Sequence, residues 1–160
     1  MASEQSQGAR FSIYLPRHHG APEKEIEASK PSVLRGGGET ILVVEDDESL
    51  LRLTQVVLAQ EGYHVLATAS SIEAIEMVRQ QEGEIDLLLA DVVMPEMSGV
   101  ELANEIKKIR PNIKTLFMSG YARTAELNHE TREKAVPFLD KPFTPDRLTV
   151  KVREAIDSEN

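Results

Sequence analysis

The 160-residue sequence contains no cysteine and no tryptophan. Without cysteine the chain can form neither a disulfide nor a thiolate metal site, and it has no cysteine nucleophile. We therefore expect a protein of the reducing cytoplasm. Aromatic residues make up only 4% of the chain, whereas hydrophobic residues reach 41%. The core must therefore be built mainly from aliphatic side chains.

Positive charge and long apolar runs are also scarce. The chain has 18 Lys and Arg against 27 Asp and Glu, a formal net charge of −9. Such a surface repels a phosphate backbone, so we expect no nucleic-acid binding. No apolar run approaches the length that crosses a bilayer, and the first ten residues, MASEQSQGAR, lack the apolar core of a secretion signal. We expect no membrane contact by this chain.

The first 38 residues differ in composition from the rest of the chain. They hold five Lys and Arg and four Asp and Glu, so the excess of negative charge lies beyond them. Residues 16–38 contain three prolines and a glycine triplet, which is typical of a flexible linker. Apolar and polar residues alternate over 11–15 and predict a single strand, which cannot be stable alone. We predict a tail and linker over residues 1–38 and one domain over 39–157.

From Glu39 onward, short apolar runs alternate with segments of helical spacing. The runs predict five strands, at 41–44, 64–69, 86–90, 113–118 and 136–139. Apolar residues three or four positions apart predict helices around Leu50, Leu53 and Val57; Ala74, Ile75 and Val78; Leu102, Ile106 and Ile109; and Leu148, Val152 and Ile156. A polar helix is predicted over 122–134. Because the strand runs are continuously apolar, we predict an α/β fold with a five-stranded parallel sheet buried on both faces.

Polar side chains stand at the ends of four predicted strands. Glu45 and Asp46 follow the first strand, Asp91 the third, Ser119 the fourth and Lys141 the fifth. The carboxyl ends of parallel strands share one edge of a sheet, where such folds bind ligands. Clustered carboxylates repel each other, and Mg²⁺ or Mn²⁺ would relieve that repulsion. A carboxylate nucleophile, a metal, an ammonium group and a hydroxyl together suit phosphoryl transfer.

Each of these residues also has an ordinary structural interpretation. The run EDD at 45–47 is typical of an acidic helix start, which the helix dipole stabilises. Asp91 and Ser119 could be turn residues, and Lys141 a surface lysine. The occurrence of all of them at successive strand ends favours the functional interpretation.

Four segments resemble the response-regulator receiver family. They are ILVVEDDE, LLLADVVMPEMSG, LFMSGYA and FLDKPF, in this order, within residues 39–157. The resemblance implies a flavodoxin-like, doubly wound (βα)5 fold with helices on both faces. It also implies a phosphorelay function, in which a phosphoryl group passes from a phosphohistidine to an aspartate and changes the affinity for a partner. The implied partner is a histidine kinase or a histidine-phosphotransfer protein, and a homodimer is left open.

The resemblance also assigns roles to individual residues. It makes Asp91 the phosphoacceptor, assisted by Lys141 and Ser119. The implied ligands of Mg²⁺ are Glu45, Asp46, Asp91 and the backbone carbonyl of Val93. The first acidic position is Glu where the family often has Asp, which lengthens one ligand arm.

Further roles concern switching and backbone geometry. Ser119 and Phe138 match the switch residues of the family, and the Lys141–Pro142 peptide bond is expected to be cis. Gly99 matches a loop glycine where the backbone would need φ freedom. Gly120 stands where the family often has alanine, and it is expected to loosen the loop after Ser119.

The tail has a resemblance of its own. The segment GARFSIYLPR, which includes Phe11 and Pro16, looks like the last strand of the ATP-binding domain of histidine kinases. A linker and a receiver after that strand would be the layout of a hybrid histidine kinase, whose parent chain can be membrane-attached. Whether this chain is an enzyme stays open, because a receiver promotes its own phosphorylation and dephosphorylation.

Two other classes compete with a receiver. The first is a small-molecule phosphatase or phosphotransferase with an Asp nucleophile. Haloacid-dehalogenase-like enzymes need a second Asp two residues after the nucleophile, and Val93 occupies that position. The second is a nucleotide-binding flavodoxin-like or Rossmann module, but no GxGxxG follows the first strand.

Overall fold

The structure is a computed structural model. It describes residues 2–3, 9–10, 37–120 and 137–158. The strand predicted from Phe11 to Pro16 and the helix predicted over 122–134 lie outside the described residues.

The chain divides into two compact units, which are described separately. In the first unit, Met1–Pro31, the two-residue strands Ala2–Ser3 and Ala9–Arg10 pair antiparallel. The second unit, Ser32–Asn160, contains the predicted sheet and four described helices.

The described part of the second unit alternates strands with helices. In chain order these are β1 Thr40–Val44, α1 Glu48–Gln60, β2 His64–Thr68, α2 Ser71–Gln80, β3 Leu87–Asp91, α3 Gly99–Ile109, β4 Lys114–Gly120, β5 Phe138–Lys141 and α4 Pro145–Asp157. The five strands form one parallel sheet in the order β2-β1-β3-β4-β5. This is the strand order of a flavodoxin-like, doubly wound sheet, and it confirms the predicted fold class.

Side chains of the central strands alternate between two hydrophobic layers, one on each face of the sheet. On one face, α2 and α3 cover the sheet with buried Ala74, Val78, Leu102, Ala103 and Ile106. On the other face, α1 and α4 cover it with buried Leu58, Leu148, Val152, Ala155 and Ile156. Every residue of β3 is buried. The continuous apolar runs therefore have the physical cause expected for a parallel sheet, which is burial on both faces.

The inner face of α1 differs from the prediction. Leu53 is 50% exposed, whereas Thr54 and Leu58 are fully buried. The spacing of leucines and valines predicted the helix correctly, but a small polar residue occupies the centre of its buried stripe. An apolar pattern cannot show that a threonine faces the core.

Three strands extend further than predicted. Asp91 is the last residue of β3, Ser119 lies within β4 and Lys141 is the last residue of β5. The sheet pairs Asp91 with Met118 and Ser119 with Asp140. The backbones of these candidate site residues are therefore held in the sheet rather than in loops.

Candidate functional site

Three carboxylates converge at the carboxyl ends of β1 and β3. Carboxylate oxygens of Glu45, Asp46 and Asp91 all lie within 4.8 Å of one another. The two strands pair directly, with Val44 opposite Ala90, so the residues that follow them are neighbours. Glu45 and Asp91 are buried, whereas Asp46 is exposed. The structure thus brings together three residues that the sequence separates by up to 46 positions.

Lys141 joins this cluster from the end of β5. Its Nζ donates to Glu45 Oε2 at 2.5 Å and to Asp91 Oδ2 at 2.9 Å. The Lys141–Pro142 peptide bond is cis, as the resemblance implied. One ammonium group among three carboxylates leaves an excess of negative charge at this edge of the sheet.

Burial raises the pKa of the Glu45 carboxyl above its usual value, although the hydrogen bond and the charge of Lys141 oppose that effect. The neighbouring Asp91 carboxylate raises the pKa of Glu45 further. The charged form of Glu45 is therefore only partly compensated by the protein itself.

A divalent cation fits this cluster chemically. Each donor is a carboxylate oxygen, the ligand type that Mg²⁺ and Mn²⁺ prefer. A cation would also offset the residual negative charge and favour the ionised form of Glu45. Glu45, Asp46 and Asp91 are thus the residues that could hold it.

The carboxylate of Asp91 is held from two sides. Lys141 contacts Oδ2, and the backbone N–H of Val93 donates to Oδ1 at 3.3 Å. The residue between Asp91 and Val93 is anchored as well, because the N–H of Val92 donates to the carbonyl of Met118 at 3.0 Å. These contacts orient the Asp91 side chain.

Within the described residues, neither predicted switch residue makes a hydrogen bond to the three carboxylates. Ser119 is buried at the end of β4, and its Oγ donates to the carbonyl of Gly120 at 3.3 Å. Phe138 begins β5 and packs against Phe117, with ring centroids 5.6 Å apart and planes tilted by 34°. Ser119 is one position beyond the β4 residue that pairs with Asp91, so its backbone borders the site.

Gly99 is required for a different reason from the one that the resemblance implied. Its φ angle does not lie in the left-handed region, so no special backbone freedom is used there. Instead, a Cβ atom at this position would lie only 2.2 Å from the carbonyl oxygen of Asp91. Glycine allows the start of α3 to pack directly on the backbone of the proposed phosphoacceptor.

The acidic run after β1 supports both interpretations that the sequence left open. Asp47 is the N-cap of α1, and its Oδ1 accepts from the N–H groups of Ser49 at 2.8 Å and Leu50 at 3.1 Å. These hydrogen bonds hold the pKa of the Asp47 carboxyl below its usual value. The two residues before it, Glu45 and Asp46, belong to the carboxylate cluster.

Sequence reasoning missed Glu96. Its Oε2 accepts hydrogen bonds from the hydroxyls of Ser70 and Ser71 at the start of α2. Ser70 lies 26 positions earlier in the chain. No local pattern connects such residues, so only the folded chain could reveal this contact.

A cleft of about 390 Å³ lies at the opposite edge of the sheet. Its lining includes Asp86, Ile113 and Lys114, which stand at the amino ends of β3 and β4. In the part of the chain that the structure describes, none of the predicted site residues lines this cleft. Within the described ranges, no helix is long and apolar enough to cross a bilayer.

Comparison with known proteins identifies the family. The family sequence model for the response regulator receiver domain matches residues 41–153 of this chain. The chain therefore belongs to the response regulator receiver family, the signalling modules of two-component systems, which confirms the resemblance drawn from the motifs. Members of this family generally bind Mg²⁺ and interact with histidine kinases or phosphotransfer proteins.

Individual relatives agree with this assignment. The sensor kinase CckA of Brucella abortus (strain 2308) is 34% identical over an alignment of 165 positions. The alignment covers 99% of this chain but only 18% of the kinase. The response regulator receiver protein CpdR of the same organism is 39% identical over 103 residues, 64% of this chain and 84% of the relative. This chain thus spans less than a fifth of the length of the kinase that it matches.

Solved structures show the same fold. A receiver domain protein from Clostridium thermocellum aligns with a TM-score of 0.67 and 29% identity, over 74% of this chain and 94% of the other. The receiver domain of the hybrid histidine kinase CckA aligns with a TM-score of 0.62 and 28% identity, over 74% of this chain and 99% of the other.

Proposed function

We propose that this chain accepts a phosphoryl group from a phosphohistidine of a partner protein onto Asp91. The observation that supports this most strongly is the cluster around that residue. Asp91 is a buried carboxylate that lies beside Glu45 and Asp46 and contacts the ammonium group of Lys141.

The contacts of Asp91 suggest how the transfer proceeds. A carboxylate oxygen of Asp91 attacks the phosphorus atom, an O–P bond forms, and the N–P bond of the phosphohistidine breaks with its electron pair returning to the imidazole. The N–H of Val93 and the ammonium group of Lys141 hold the carboxylate in place for this attack. Lys141 can then donate to the phosphoryl oxygens, whose negative charge it partly neutralises.

The proposed cation site comprises Glu45, Asp46, Asp91 and the carbonyl of Val93. When bound, Mg²⁺ or Mn²⁺ would neutralise charge on the transferred phosphoryl group. The excess of carboxylates over ammonium groups at this edge is consistent with that role.

We propose that Ser119 and Phe138 couple the phosphoryl group to partner binding. The hydroxyl of Ser119 donates to the carbonyl of Gly120 only at 3.3 Å, so a charged phosphoryl oxygen would be a stronger acceptor. A shift of β4 toward that oxygen would also move β5, because the two strands pair in the sheet, and with β5 it would move Phe138. The partner would be a histidine kinase or a histidine-phosphotransfer protein.

Similarity in the tail supports the proposal that the parent protein is longer than this chain. The similarity to the sensor kinase covers 99% of this chain, whereas the receiver family match begins only at residue 41. The likeness to that kinase thus extends into residues 1–38. We propose that these residues are the tail and linker of a hybrid histidine kinase, that residues 39–157 are its receiver, and that the receiver acts in the cytoplasm.

Acetyl phosphate provides a test without a partner protein. The full chain is incubated with acetyl phosphate and Mg²⁺, and its intact mass is measured. We expect one added phosphoryl group in the wild type and in Asp140→Asn, which changes an exposed aspartate at the end of β5. We expect none in Asp91→Asn, and much less in Asp46→Asn or with a chelator.

Two outcomes would contradict the proposal. Labelling of Asp91→Asn to the wild-type extent would place the phosphoryl group elsewhere. Sustained hydrolysis of a small phosphomonoester without labelling of the protein would support the phosphatase alternative.

A further inference from the structure

The loop between β3 and α3, residues 92–98, is fastened to α2 by one side chain. Glu96 Oε2 accepts from Ser70 Oγ at 2.7 Å, from Ser71 Oγ at 3.1 Å and from the N–H of Ile72 at 3.4 Å. The hydrogen bonds from Ser70 and Ile72 hold the pKa of the Glu96 carboxyl below its usual value. An exposed carboxylate thus has three donors, all of them from another element of the fold.

The hydroxyl of Ser70 both donates and accepts a hydrogen bond, which fixes its orientation toward Glu96. As the N-cap of α2 it accepts from the N–H of Glu73, and as a donor it points to Glu96. The negative charge of Glu96 also lies at the amino end of α2, where the helix dipole favours an anion. Glu101 offers a contrast, because its carboxylate accepts from the N–H and hydroxyl of Ser98 at the end of the same loop and, within the described residues, makes no hydrogen bond to α2.

Glu96 connects the two sides of the carboxylate cluster. On the α2 side, the N–H of Ser70 donates to Thr68 Oγ1, and the carbonyl of Thr68 accepts from the N–H of Glu45. On the other side, the loop follows Asp91 directly and includes Val93, whose N–H donates to Asp91 Oδ1. A continuous path of hydrogen bonds and short backbone segments therefore runs from Glu45 through Glu96 to Asp91.

We propose that Glu96 is a positioning residue for the cation site. It holds the β3–α3 loop, and with it the main chain of Val93, in the orientation that supports cation binding beside Asp91. This inference rests on the proposed function, because the Val93 carbonyl is a ligand only if the cation binds there.

Other anchors of the loop set the size of the effect. Val92 and Met94 are buried, and the N–H of Gly99 donates to the carbonyl of Val92 at 2.9 Å. Loss of Glu96 should therefore loosen the loop without unfolding the domain. Groups that orient metal ligands without contacting the metal typically change affinity by about 10- to 100-fold, and we expect the low end, about tenfold.

The test measures binding of Mg²⁺ to the full chain by titration calorimetry, with urea unfolding as a check on the fold. We expect Glu96→Ala to weaken Mg²⁺ binding about tenfold. Glu96→Gln should be intermediate, because its amide oxygen still accepts a hydrogen bond. Glu76→Ala is the matched control, since it removes an exposed carboxylate from α2 that makes no hydrogen bond to the loop within the described residues.

A second readout does not involve the metal. Without Mg²⁺, amide hydrogen exchange over residues 92–98 should be faster in Glu96→Ala and in Ser71→Ala than in the wild type. The double variant should differ little from Glu96→Ala, because both substitutions break the same contact.

The outcomes separate this inference from the proposed function. Wild-type Mg²⁺ affinity in Glu96→Ala, or equal weakening in Glu76→Ala, would overturn the positioning role while leaving the receiver function intact. No Mg²⁺ binding by the wild type would overturn the proposed cation site and the positioning role together.

Discussion

The substitution Gly99→Ala tests how closely α3 packs on the backbone of Asp91. The new Cβ would lie 2.2 Å from the Asp91 carbonyl oxygen and 3.0 Å from its carbonyl carbon. Ordinary van der Waals contact begins at 3.4 Å, so the two backbones must separate by about 1 Å. Neither is a flexible side chain that can turn away.

The expected cost follows from this geometry. Overpacking a well-packed site typically costs about 1–3 kcal/mol. Helix propensity acts in the opposite direction, because alanine is better than glycine within a helix by about 0.5–1 kcal/mol. We expect the steric term to exceed the propensity term, with a net loss of about 1–2 kcal/mol in the free energy of unfolding. Leu102, which is fully buried one turn later in α3, would be displaced as well.

Urea denaturation measures this loss. For a urea m-value of about 2 kcal/mol/M, the midpoint should fall by roughly 0.5–1 M. Gly120→Ala is the control, because a Cβ there meets no atom of the described residues within 4 Å. That variant should be as stable as the wild type or gain about 0.4–1 kcal/mol. A Gly99→Ala protein as stable as the wild type would refute the steric reasoning.

Three further predictions concern the acidic run and the tail. Asp47→Ala should lower the urea midpoint because α1 loses its N-cap, whereas Asp46→Ala without Mg²⁺ should not; equal losses would refute the division of roles. The pKa of Glu45 is raised in the folded state. Glu45 therefore stabilises the fold at pH values below its unfolded pKa of 4.5, and this contribution is lost as pH rises through the folded pKa. With a chelator present, Glu45→Gln should therefore be more stable than the wild type at pH 7, and this gain should shrink toward pH 4.5 in urea titrations; a gain independent of pH would contradict the linkage. A chain that begins at Gly38 should melt within a few degrees of the full chain, since residues 1–38 have a linker-like composition; a large fall in melting temperature would show that the tail stabilises the domain.

The sequence alone determined the fold class and the residues of the candidate site. Apolar runs and helical spacing are local properties, so they indicated the five strands and the four described helices, with boundaries shifted by a few residues. Strand ends could also be located from the same runs. Because carboxyl ends of parallel strands share one edge, Glu45, Asp91 and Lys141 could be assigned to one site before any distance was known.

The tertiary structure decided which partner each of those side chains has. Lys141 bridges Glu45 and Asp91 although it lies 96 and 50 positions from them, and Glu96 reaches Ser70 across 26 positions. The local sequence around each residue cannot predict such contacts, because they depend on how separate elements pack.

Packing also decided what the sequence left ambiguous. The acidic run could be a helix cap or a cation site, and the geometry assigns Asp47 to the cap and its two predecessors to the cluster. Gly99 is a glycine because the start of α3 touches the backbone of Asp91, not because its own φ angle is unusual. Local patterns report the preferences of a segment, whereas steric fit and charge pairing exist only between segments that the fold brings together.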